Sequence, residues 1–362
     1  MSIQHRGSKG FGAARSAARV LSGSARGALR AGVLVGVFGT LTACGGSSTP
    51  AQSPDDTALL EDSPSDGAAA ASSGAVQQGI DALQAQDFEK AKQILADAHA
   101  KDPKDPQAAF YYGVALEGTG EADAAVAAYR QALTLDPKLS EASQNLSALL
   151  LEKGDVEGAL AVVDAGLSQT PDNPVLLTNR AVALDAAGSP EAVGAYAKAV
   201  EKSPDNGRVR YSYALALAKA NKPSESLAEL KKIPTSEPDF AAAVAGAYKQ
   251  LGAFDDCIKV LDAALAKQAN PELWMRRGTC NQGKNDGAAA VADFKKALSL
   301  DANFAAAHYY LGRELASQGK FEEGRAELKK AATLGAGTPV AAAADKSLSE
   351  LEAAAKKTPK KK

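Results

Sequence analysis

The sequence predicts an all-α fold built from repeated helix pairs, and three observations lead to that prediction. Small residues recur at spacings of 31 to 34 residues along most of the chain. Prolines follow them at a fixed distance, as expected where short helices end. Aromatic residues make up only 5% of the 362 residues, so a large aromatic core is excluded. A stack of helix pairs that share one continuous core satisfies all three observations.

The repeated small residues form three sets, which we assign to the first helix, the start of the second helix and the end of the second helix of each pair. The first set is Gly79, Gly113, Ser147, Ala181, Ala214, Ala245, Gly278 and Gly312. The second set is Ala91, Ala125, Ala159, Ala192, Ser226, Cys257, Ala290 and Gly324. The third set is Ala98, Ala132, Gly166, Ala199, Ile233, Ala264, Ala297 and Ala331. Because antiparallel helices approach closely only where the intervening side chains are small, we expect the first two sets to face each other. Larger residues such as Leu95, Tyr129 and Phe294 are expected to fill the space toward the next pair.

Proline marks the end of the second helix in the first five pairs. It lies five residues after the third set, at Pro103, Pro137, Pro171, Pro204 and Pro238. The last three pairs carry Ala269, Ala302 and Ala336 instead, so they are looser copies. In the short fifth pair we expect Pro223 to open a helix and Pro238 to close it directly against the next one.

A 34-residue period with two helices per unit resembles the tetratricopeptide repeat (TPR) family from about residue 72 to residue 338. Residues 273–278, Leu-Trp-Met-Arg-Arg-Gly, resemble the opening of the family's first helix, and Tyr129, Tyr196 and Phe294 match the aromatic of its second helix. The resemblance implies a right-handed superhelical solenoid of about eight TPR helix pairs over residues 75–338. A C-terminal capping helix over residues 339–355 is expected to cover the last pair.

Residues 41–44 read Leu-Thr-Ala-Cys and end an apolar run, residues 31–41, that is too short to span a membrane. Six Lys/Arg and no acidic residue precede this run, as in an export signal. The ending resembles the lipobox of bacterial lipoproteins. The resemblance implies that residues 1–43 are a signal peptide removed ahead of Cys44, and that Cys44 carries the lipid. The alternative is an uncleaved signal anchor in which Cys44 is incidental.

Two segments flank the predicted solenoid. Residues 44–74 begin with the lipidated cysteine and are rich in Gly, Ser, Pro, Asp and Ala, which predicts a disordered tether. Residues 356–362 form a basic tail with five lysines. The tail is either a solvated chain end or a contact with an anionic surface such as lipid head groups or cell-wall polymer.

The charge balance argues against a nucleic-acid partner. Removal of residues 1–43 leaves 35 Lys/Arg against 43 Asp/Glu, so the mature chain is near −8, whereas nucleic acid is bound by basic surfaces. The lipoprotein resemblance implies an exported protein that is lipid-anchored to the cell envelope. Gly45 stands where the known inner-membrane retention signal has Asp, which favours the outer membrane, with the protein facing the periplasm.

The sequence offers no catalytic constellation. His5, His99 and His308 are the only histidines, and neither an HExxH zinc motif nor a GxSxG nucleophile motif occurs. Residues 278–285 match a phosphate-binding loop except at Asn285, but the repeat register places them inside a helix. We therefore expect no enzyme activity, no metal, no cofactor and no small-molecule substrate.

In the TPR family the first helices line a concave groove that holds peptides. By register, the resemblance implies the following groove residues in this chain: Phe110, Tyr111, Gln144, Asn145, Thr178, Asn179, Arg208, Tyr211, Met275, Arg276, Tyr309, Tyr310 and Arg313. Asn145 and Asn179 occupy equivalent places in adjacent pairs, and a carboxamide offers both a donor and an acceptor to a peptide backbone. Both are expected to face solvent. The lysines that complete the family's clamp on a peptide C-terminus are not matched.

Cys257 and Cys280 are the cysteines that remain besides Cys44. The repeat register places Cys257 early in the second helix of pair six and Cys280 late in the first helix of pair seven, at the same height of antiparallel neighbours. An exported compartment permits a disulfide between them. Two separate buried thiols are the alternative.

These features predict a membrane-anchored protein–protein interaction scaffold of the bacterial cell envelope, which binds a peptide or protein in the groove and assists the assembly of an envelope complex. The alternative is an accessory or regulatory subunit of an envelope enzyme. The sequence shows no second domain with catalytic residues, which favours the scaffold.

Overall fold

The computed structural model of the protein describes residues 66–235 and 238–357. Within these residues the chain forms seventeen α-helices and no β-strand. Sixteen of the helices form eight consecutive pairs, and the last helix packs against both helices of the eighth pair. The predicted all-α fold of helix pairs with a final capping helix is confirmed. Residues 1–65, which include the predicted signal peptide, Cys44 and most of the predicted tether, and residues 358–362 of the tail lie outside the described residues.

The helices belong to two compact units, with the boundary between Ser203 and Pro204. Unit 1 holds pairs one to four: α1 (Asp66–Gln84), α2 (Phe88–Lys101), α3 (Pro106–Thr119), α4 (Ala122–Leu135), α5 (Ser140–Lys153), α6 (Val156–Gln169), α7 (Pro174–Ala186) and α8 (Ala192–Lys202). Unit 2 holds pairs five to eight and the capping helix: α9 (Gly207–Lys219), α10 (Pro223–Leu230), α11 (Pro238–Gln250), α12 (Phe254–Leu265), α13 (Pro271–Gly283), α14 (Gly287–Leu300), α15 (Ala305–Ser317), α16 (Phe321–Leu334) and α17 (Pro339–Lys357).

An Asp or Asn followed by proline begins several first helices. The Asp105 carboxylate accepts a hydrogen bond from the backbone N–H of Gln107 at 2.8 Å, and Pro106 takes the first helical position of α3. Asn173 and Asn270 cap α7 and α13 in the same way, each ahead of a proline. The cap satisfies a backbone donor that has no partner inside the helix, and proline loses no hydrogen bond at the first position. The local sequence therefore fixes where these helices start.

The small residue of a first helix receives a large side chain from the second helix of the same pair. A Cβ at Gly113 would lie 2.7 Å from the ring of Tyr129, which is fully buried. In pair eight both partners are glycines, and a Cβ at Gly324 would lie 2.7 Å from the carbonyl oxygen of Gly312. Tyr129 was expected to fill the space toward the next pair, and its ring also packs on the glycine of its own pair. Its hydroxyl accepts a hydrogen bond from Asn145 of pair three.

Three helix boundaries differ from those expected. Helix α1 begins at Asp66 rather than at residue 75, because residues 68–71 are four alanines, the residue type with the highest helix propensity. Helix α17 ends at Lys357, two residues after the expected end. Helix α10 ends at Leu230, and Pro238 is the first residue of α11. Pro238 therefore opens the next helix, where proline is tolerated, and does not close the short one.

A disulfide joins neighbouring pairs within unit 2. Cys257 of α12 and Cys280 of α13 are bonded, with their Cα atoms 6.3 Å apart, and both are buried. These are the two cysteines that the helix register placed at one height.

Candidate functional site

Asn145, predicted to contact a partner, is buried between helix pairs. Its side chain is 6% exposed, and its Nδ2 donates to the hydroxyl oxygen of Tyr129 at 3.3 Å. Tyr129 donates in turn to Oε2 of Glu117 at 2.9 Å. Burial raises the pKa of Tyr129 well above its ordinary value, so the hydroxyl remains a donor. Asn145 therefore belongs to a hydrogen-bonded chain that ties α5 to pair two.

Asn179 has the same role one pair later. It is 7% exposed, and its Nδ2 donates to the backbone oxygen of Gln144 at 3.1 Å and to Oγ of Ser147 at 2.9 Å. The prediction that both asparagines face solvent is wrong. The small residue two positions after each asparagine lets the helices pack closely, so that both carboxamides are enclosed. Their hydrogen bonds join consecutive pairs of unit 1.

Two other members of the predicted groove also belong to the core. Phe110 is 1% exposed, and its ring centroid lies 5.9 Å from that of Tyr129. Met275 is 8% exposed and packs with Phe294 and Leu311. Both lie three residues before the small residue of their helix, which places them on the same helical face as that residue. The expectation that they line an open groove is corrected for this reason.

Tyr111, Gln144 and Thr178 are half-buried on the first helices of unit 1. Burial, together with the nearby Glu141 carboxylate, raises the pKa of Tyr111. The Thr178 hydroxyl donates to the Pro174 carbonyl of its own helix at 2.8 Å. These side chains present small polar surfaces and carry no charge.

The first helices of unit 2 form a different surface, which we name the first-helix face of unit 2: Arg208, Tyr211, Phe240, Lys249 and Arg276. The Arg208 guanidinium lies 5.4 Å from the centroid of the Phe240 ring. Phe240 meets Tyr211 edge to face at 5.8 Å, and the Tyr211 hydroxyl donates to the Ala243 carbonyl at 3.2 Å. Two half-buried aromatic rings are thereby held beside Arg208, and the positive charge of Arg276 acts on Tyr211.

Two of those cations stand close enough to affect each other. Burial and the positive charge of Arg276 lower the pKa of Lys249. Arg276 pairs with Glu272 at 2.8 Å, whereas Lys249 has no ion pair among the described residues. The Nε atom of Arg276 is buried and has no hydrogen-bond partner there either. The face therefore has cationic groups whose bonding capacity is not used within the described protein.

The remaining predicted residues lie at the last pair. Tyr309 meets Tyr310 edge to face at 5.2 Å and packs toward the capping helix beside Leu348. Tyr310 stacks on Phe294 at 5.9 Å. Arg313 is exposed, and its Nη1 donates to the Tyr309 hydroxyl at 3.3 Å. Tyr309 and Tyr310 therefore use part of their ring surface in contacts within the protein.

The first helices of the two units carry opposite charge. In unit 1 they contain two Lys/Arg against six Asp/Glu. In unit 2 they contain seven Lys/Arg against three Asp/Glu. The net charge of the whole chain is only −2. The contrast is therefore visible only when charges are counted separately for the first helices of each unit.

Phe240 and Lys249 were missed at the sequence level. Phe240 lies five residues before Ala245, the small residue of its helix, whereas most of the predicted groove residues lie two or three residues before theirs. A count of Lys/Arg over the first helices alone would have indicated Lys249. Its closeness to Arg276 depends on packing between helices and leaves no sequence signal.

Within the described parts of the chain, no group of three or more His, Cys, Asp or Glu side chains could hold a metal ion. The same residues include no helix that is both long and apolar enough to cross a membrane.

Comparisons with known proteins agree with the geometry. One tetratricopeptide repeat family model matches residues 76–140 and 281–339, and a second matches residues 116–181 and 189–251. No curated protein matches the sequence.

Several solved structures are similar. A tetratricopeptide repeat protein from Parabacteroides merdae shares 18% identity over 68% of this chain and 98% of its own, with a TM-score of 0.47. PilF from Pseudomonas aeruginosa shares 17% identity over 68% of this chain and 99% of its own, with a TM-score of 0.47. Yeast Tom70 shares 17% identity over 84% of this chain and 68% of its own, also at 0.47. At these identities the similarity carries no information about partners.

The two family models together match more than half of the residues, and the matched segments lie within the part of the chain that forms the helix pairs. TPR folds typically serve as non-enzymatic scaffolds that bind proteins or peptides. The chain belongs to the tetratricopeptide repeat family, and its fold is that of a protein–protein interaction scaffold.

Proposed function

We propose that this protein is a lipid-anchored scaffold of the bacterial envelope that holds an extended acidic segment of a partner protein on the first-helix face of unit 2. One observation carries the proposal: the half-buried rings of Tyr211 and Phe240 meet edge to face, Arg208 lies over Phe240, and Arg276 is close enough to Tyr211 to act on its pKa. Unit 1 has no equivalent cluster among the predicted groove residues.

The cations and aromatic rings of this face indicate what kind of partner segment would bind there. Lys249 and Arg276 repel each other, and a carboxylate placed between them would relieve that repulsion while bonding to both. The positive charge of Arg208 adds to the attraction for acidic side chains. Tyr211 and Phe240 offer apolar area for an aliphatic side chain. A segment that alternates Asp or Glu with Leu or Ile therefore fits this face.

A synthetic peptide in which Asp and Leu alternate tests the proposal. Fluorescence anisotropy should show binding to the protein, and the triple change Arg208→Gln, Lys249→Gln and Arg276→Gln should weaken it at least about tenfold, which corresponds to about 1.4 kcal/mol. The control is Arg180→Gln on α7 of unit 1, which should leave the affinity unchanged. Equal affinity of the triple variant, or equal binding of a peptide with Lys in place of Asp, would contradict the proposal.

The membrane anchor rests on the lipobox resemblance of residues 41–44. Cys44→Ala should leave the protein unacylated and unprocessed, because the thiol of Cys44 is the acyl acceptor in that motif. Metabolic labelling with a palmitate analogue measures the result, and equal labelling of variant and wild type would exclude the anchor. The proposed place is the outer membrane, facing the periplasm, where the scaffold assists assembly of an envelope complex. Fractionation of the envelope tests that place.

A further inference from the structure

A cleft of about 770 Å³ opens between the second helices of the last two pairs. Lys295, Leu298 and Ser299 of α14 form one wall, and α16 forms the other. His308 and Leu311 of α15 lie at its floor. The volume is within the range of small-molecule sites. None of the residues that line the cleft belongs to the first-helix face of unit 2.

The repeat itself supplies a reference for this cleft. Residues of pairs seven and eight lie 199 positions after their equivalents in pairs one and two, as Gly278 does after Gly79. In unit 1 the equivalent space is filled by an aromatic pair: His99 stacks on Tyr112 with 6.1 Å between ring centroids. Nε2 of His99 also lies 3.1 Å from Oε1 of Gln131, whose Nε2 donates to the backbone between the pairs.

None of these three filling groups is kept in unit 2. His99 is replaced by Leu298, Tyr112 by Leu311 and Gln131 by Lys330. Two leucines have about the volume of a histidine and a tyrosine but cannot stack as flat rings across the gap, and Lys330 turns to Glu327 at 2.9 Å. The cleft therefore lies where pairs seven and eight lack the ring stack and the glutamine bridge of pairs one and two.

Two residues that line the cleft have ionisable side chains, whereas the equivalent residues of unit 1 are alanines. Ala109 and Ala128 of unit 1 correspond to His308 and Glu327. His308 is 5% exposed; its Nε2 donates to the Ala302 carbonyl at 3.0 Å, and its Nδ1 contacts the Glu327 carboxylate. Burial raises the pKa of Glu327, but hydrogen bonds from Lys330 and His308 outweigh burial and lower it. Glu327 is thus an anion already bonded on both oxygens.

The rim retains cations that have no such partner. Lys295 and Lys329 line the opening and form no ion pair among the described residues. Ser299 and Thr333 add hydroxyl groups. Leu334 also lines the opening and is 43% exposed, an unusual exposure for a large apolar side chain in this protein. Positive charge and apolar surface therefore lie side by side around an open volume.

We propose that this cleft binds a small amphiphilic anion, a phosphate or carboxylate head on a short alkyl chain, with the head held by Lys295 and Lys329 and the chain against Leu298, Leu311 and Leu334. The inference does not depend on the partner proposed for the first-helix face. The sequence predicted no small-molecule substrate, because the cleft arises only from tertiary packing.

Hexyl phosphate is the test ligand, and isothermal titration calorimetry on the whole chain is the measurement. Binding is expected, with both inorganic phosphate and 1-hexanol at least tenfold weaker, because each lacks one half of the chemistry. No measurable heat with hexyl phosphate, or equal affinity for inorganic phosphate, overturns the proposal.

Two variants assign the binding to the cleft. Lys295→Gln with Lys329→Gln removes the head-group cations and should weaken hexyl phosphate at least tenfold. Leu298→His with Leu311→Tyr and Lys330→Gln rebuilds the closing group of unit 1 and should abolish binding. Leu298→Trp is a second way to fill the cleft, since it alters only a half-buried wall residue if the triple variant does not fold. Unchanged binding in the lysine variant or in a folded filled variant overturns the proposal.

The repeat also provides the matched control. Arg130→Gln changes the unit 1 equivalent of Lys329 and should leave hexyl phosphate binding unchanged. Phosphatidylglycerol vesicles identify the source of the anion. Competition by vesicles indicates that a bilayer lipid supplies the head and chain, and no competition indicates a free amphiphile. Either result supports the amphiphilic anion, whereas equal loss of binding in Arg130→Gln and the lysine variant contradicts the assignment to the cleft.

Discussion

Units 1 and 2 share one repeat but bury different polar groups. Among the described residues of unit 1, the buried polar side chains are neutral: Ser143, Asn145, Ser147 and Asn179. Those of unit 2 include two titratable groups, Asp293 and His308, each bonded to an oppositely chargeable side chain. The first helices differ in the same sense, since those of unit 1 are acidic and those of unit 2 are basic.

This difference shows that the small-residue pattern determines the fold, whereas the polar and charged residues of each unit can vary independently of it. A neutral buried hydrogen bond contributes a modest net stability, whereas a buried ion pair adds little but costs much when one partner is removed. Unit 2 should therefore tolerate fewer changes at its buried positions, and it is also the unit with a cationic face and an open cleft.

The largest expected effect is at Asp293, which is 3% exposed and accepts hydrogen bonds from Arg277 at 2.6 and 3.0 Å and from Asn281 at 2.9 Å. Asp293→Ala leaves the partly buried Arg277 without its bidentate partner and should lower the free energy of unfolding by about 3 to 5 kcal/mol. Urea unfolding measures the change. Asp262→Ala is the control, because Asp262 pairs with the same arginine but is 51% exposed, and it should cost at most about 1 kcal/mol. Equal losses would mean that burial does not distinguish the two pairs.

The disulfide is expected to rank second. Cys257→Ala with Cys280→Ala opens a loop with a sequence separation of 23 residues, which should lower the free energy of unfolding by about 3 kcal/mol on the chain-entropy model. Unit 1 has no cysteine within residues 74–203, so protection of its amides from hydrogen exchange should stay unchanged. Alkylation of envelope-purified protein under denaturing, non-reducing conditions should find neither thiol free. Two free thiols would contradict the bond.

The third prediction concerns the neutral interior of unit 1. Asn179→Ala removes two hydrogen bonds and leaves the Gln144 carbonyl and Ser147 hydroxyl without this donor, so the free energy of unfolding should fall by about 1 to 3 kcal/mol. The neighbouring Thr178→Ala, whose hydroxyl bonds only to its own helix, should stay within about 0.5 kcal/mol. Thermal melting of both variants separates them. A stable Asn179→Ala protein would mean that the carboxamide is dispensable between pairs.

The smallest effect is expected at Lys249. Folding lowers its pKa, so the folded state disfavours the protonated form, and this penalty is present below the ordinary lysine pKa and disappears as pH rises above it. Lys249→Gln should therefore raise stability slightly near neutral pH, by less than about 1 kcal/mol because the group is half solvated. The gain should vanish in alkaline buffer. Melting curves across that pH range measure it, and a variant that is destabilised at neutral pH would indicate an anionic partner within the protein.

The fold was accessible from the sequence because its determinants are local and periodic. Gly113 and Gly278 recur in register with the small residues of the second helices, and Asp105 with Pro106 specifies a helix start from adjacent residues. The candidate site could be predicted from the sequence less completely than the fold. Three of the five residues of the first-helix face of unit 2 were identified by register, but Asn145 and Phe110 were placed on the surface although their neighbours enclose them. Burial at these positions depends on how closely adjacent pairs approach, which one helical period does not specify.

The sequence by itself determined the number of helix pairs and placed Cys257 and Cys280 at one height of neighbouring helices, because both follow from a 34-residue period and helical geometry. Only the tertiary structure decided which polar groups are buried, that Lys249 lies near Arg276, and that the space between α14 and α16 stays open. Those features depend on the volumes of side chains that are far apart in the chain and meet only after folding. A cleft of about 770 Å³ lies where two leucines and a lysine stand in place of a histidine, a tyrosine and a glutamine, and these substitutions are unremarkable in sequence.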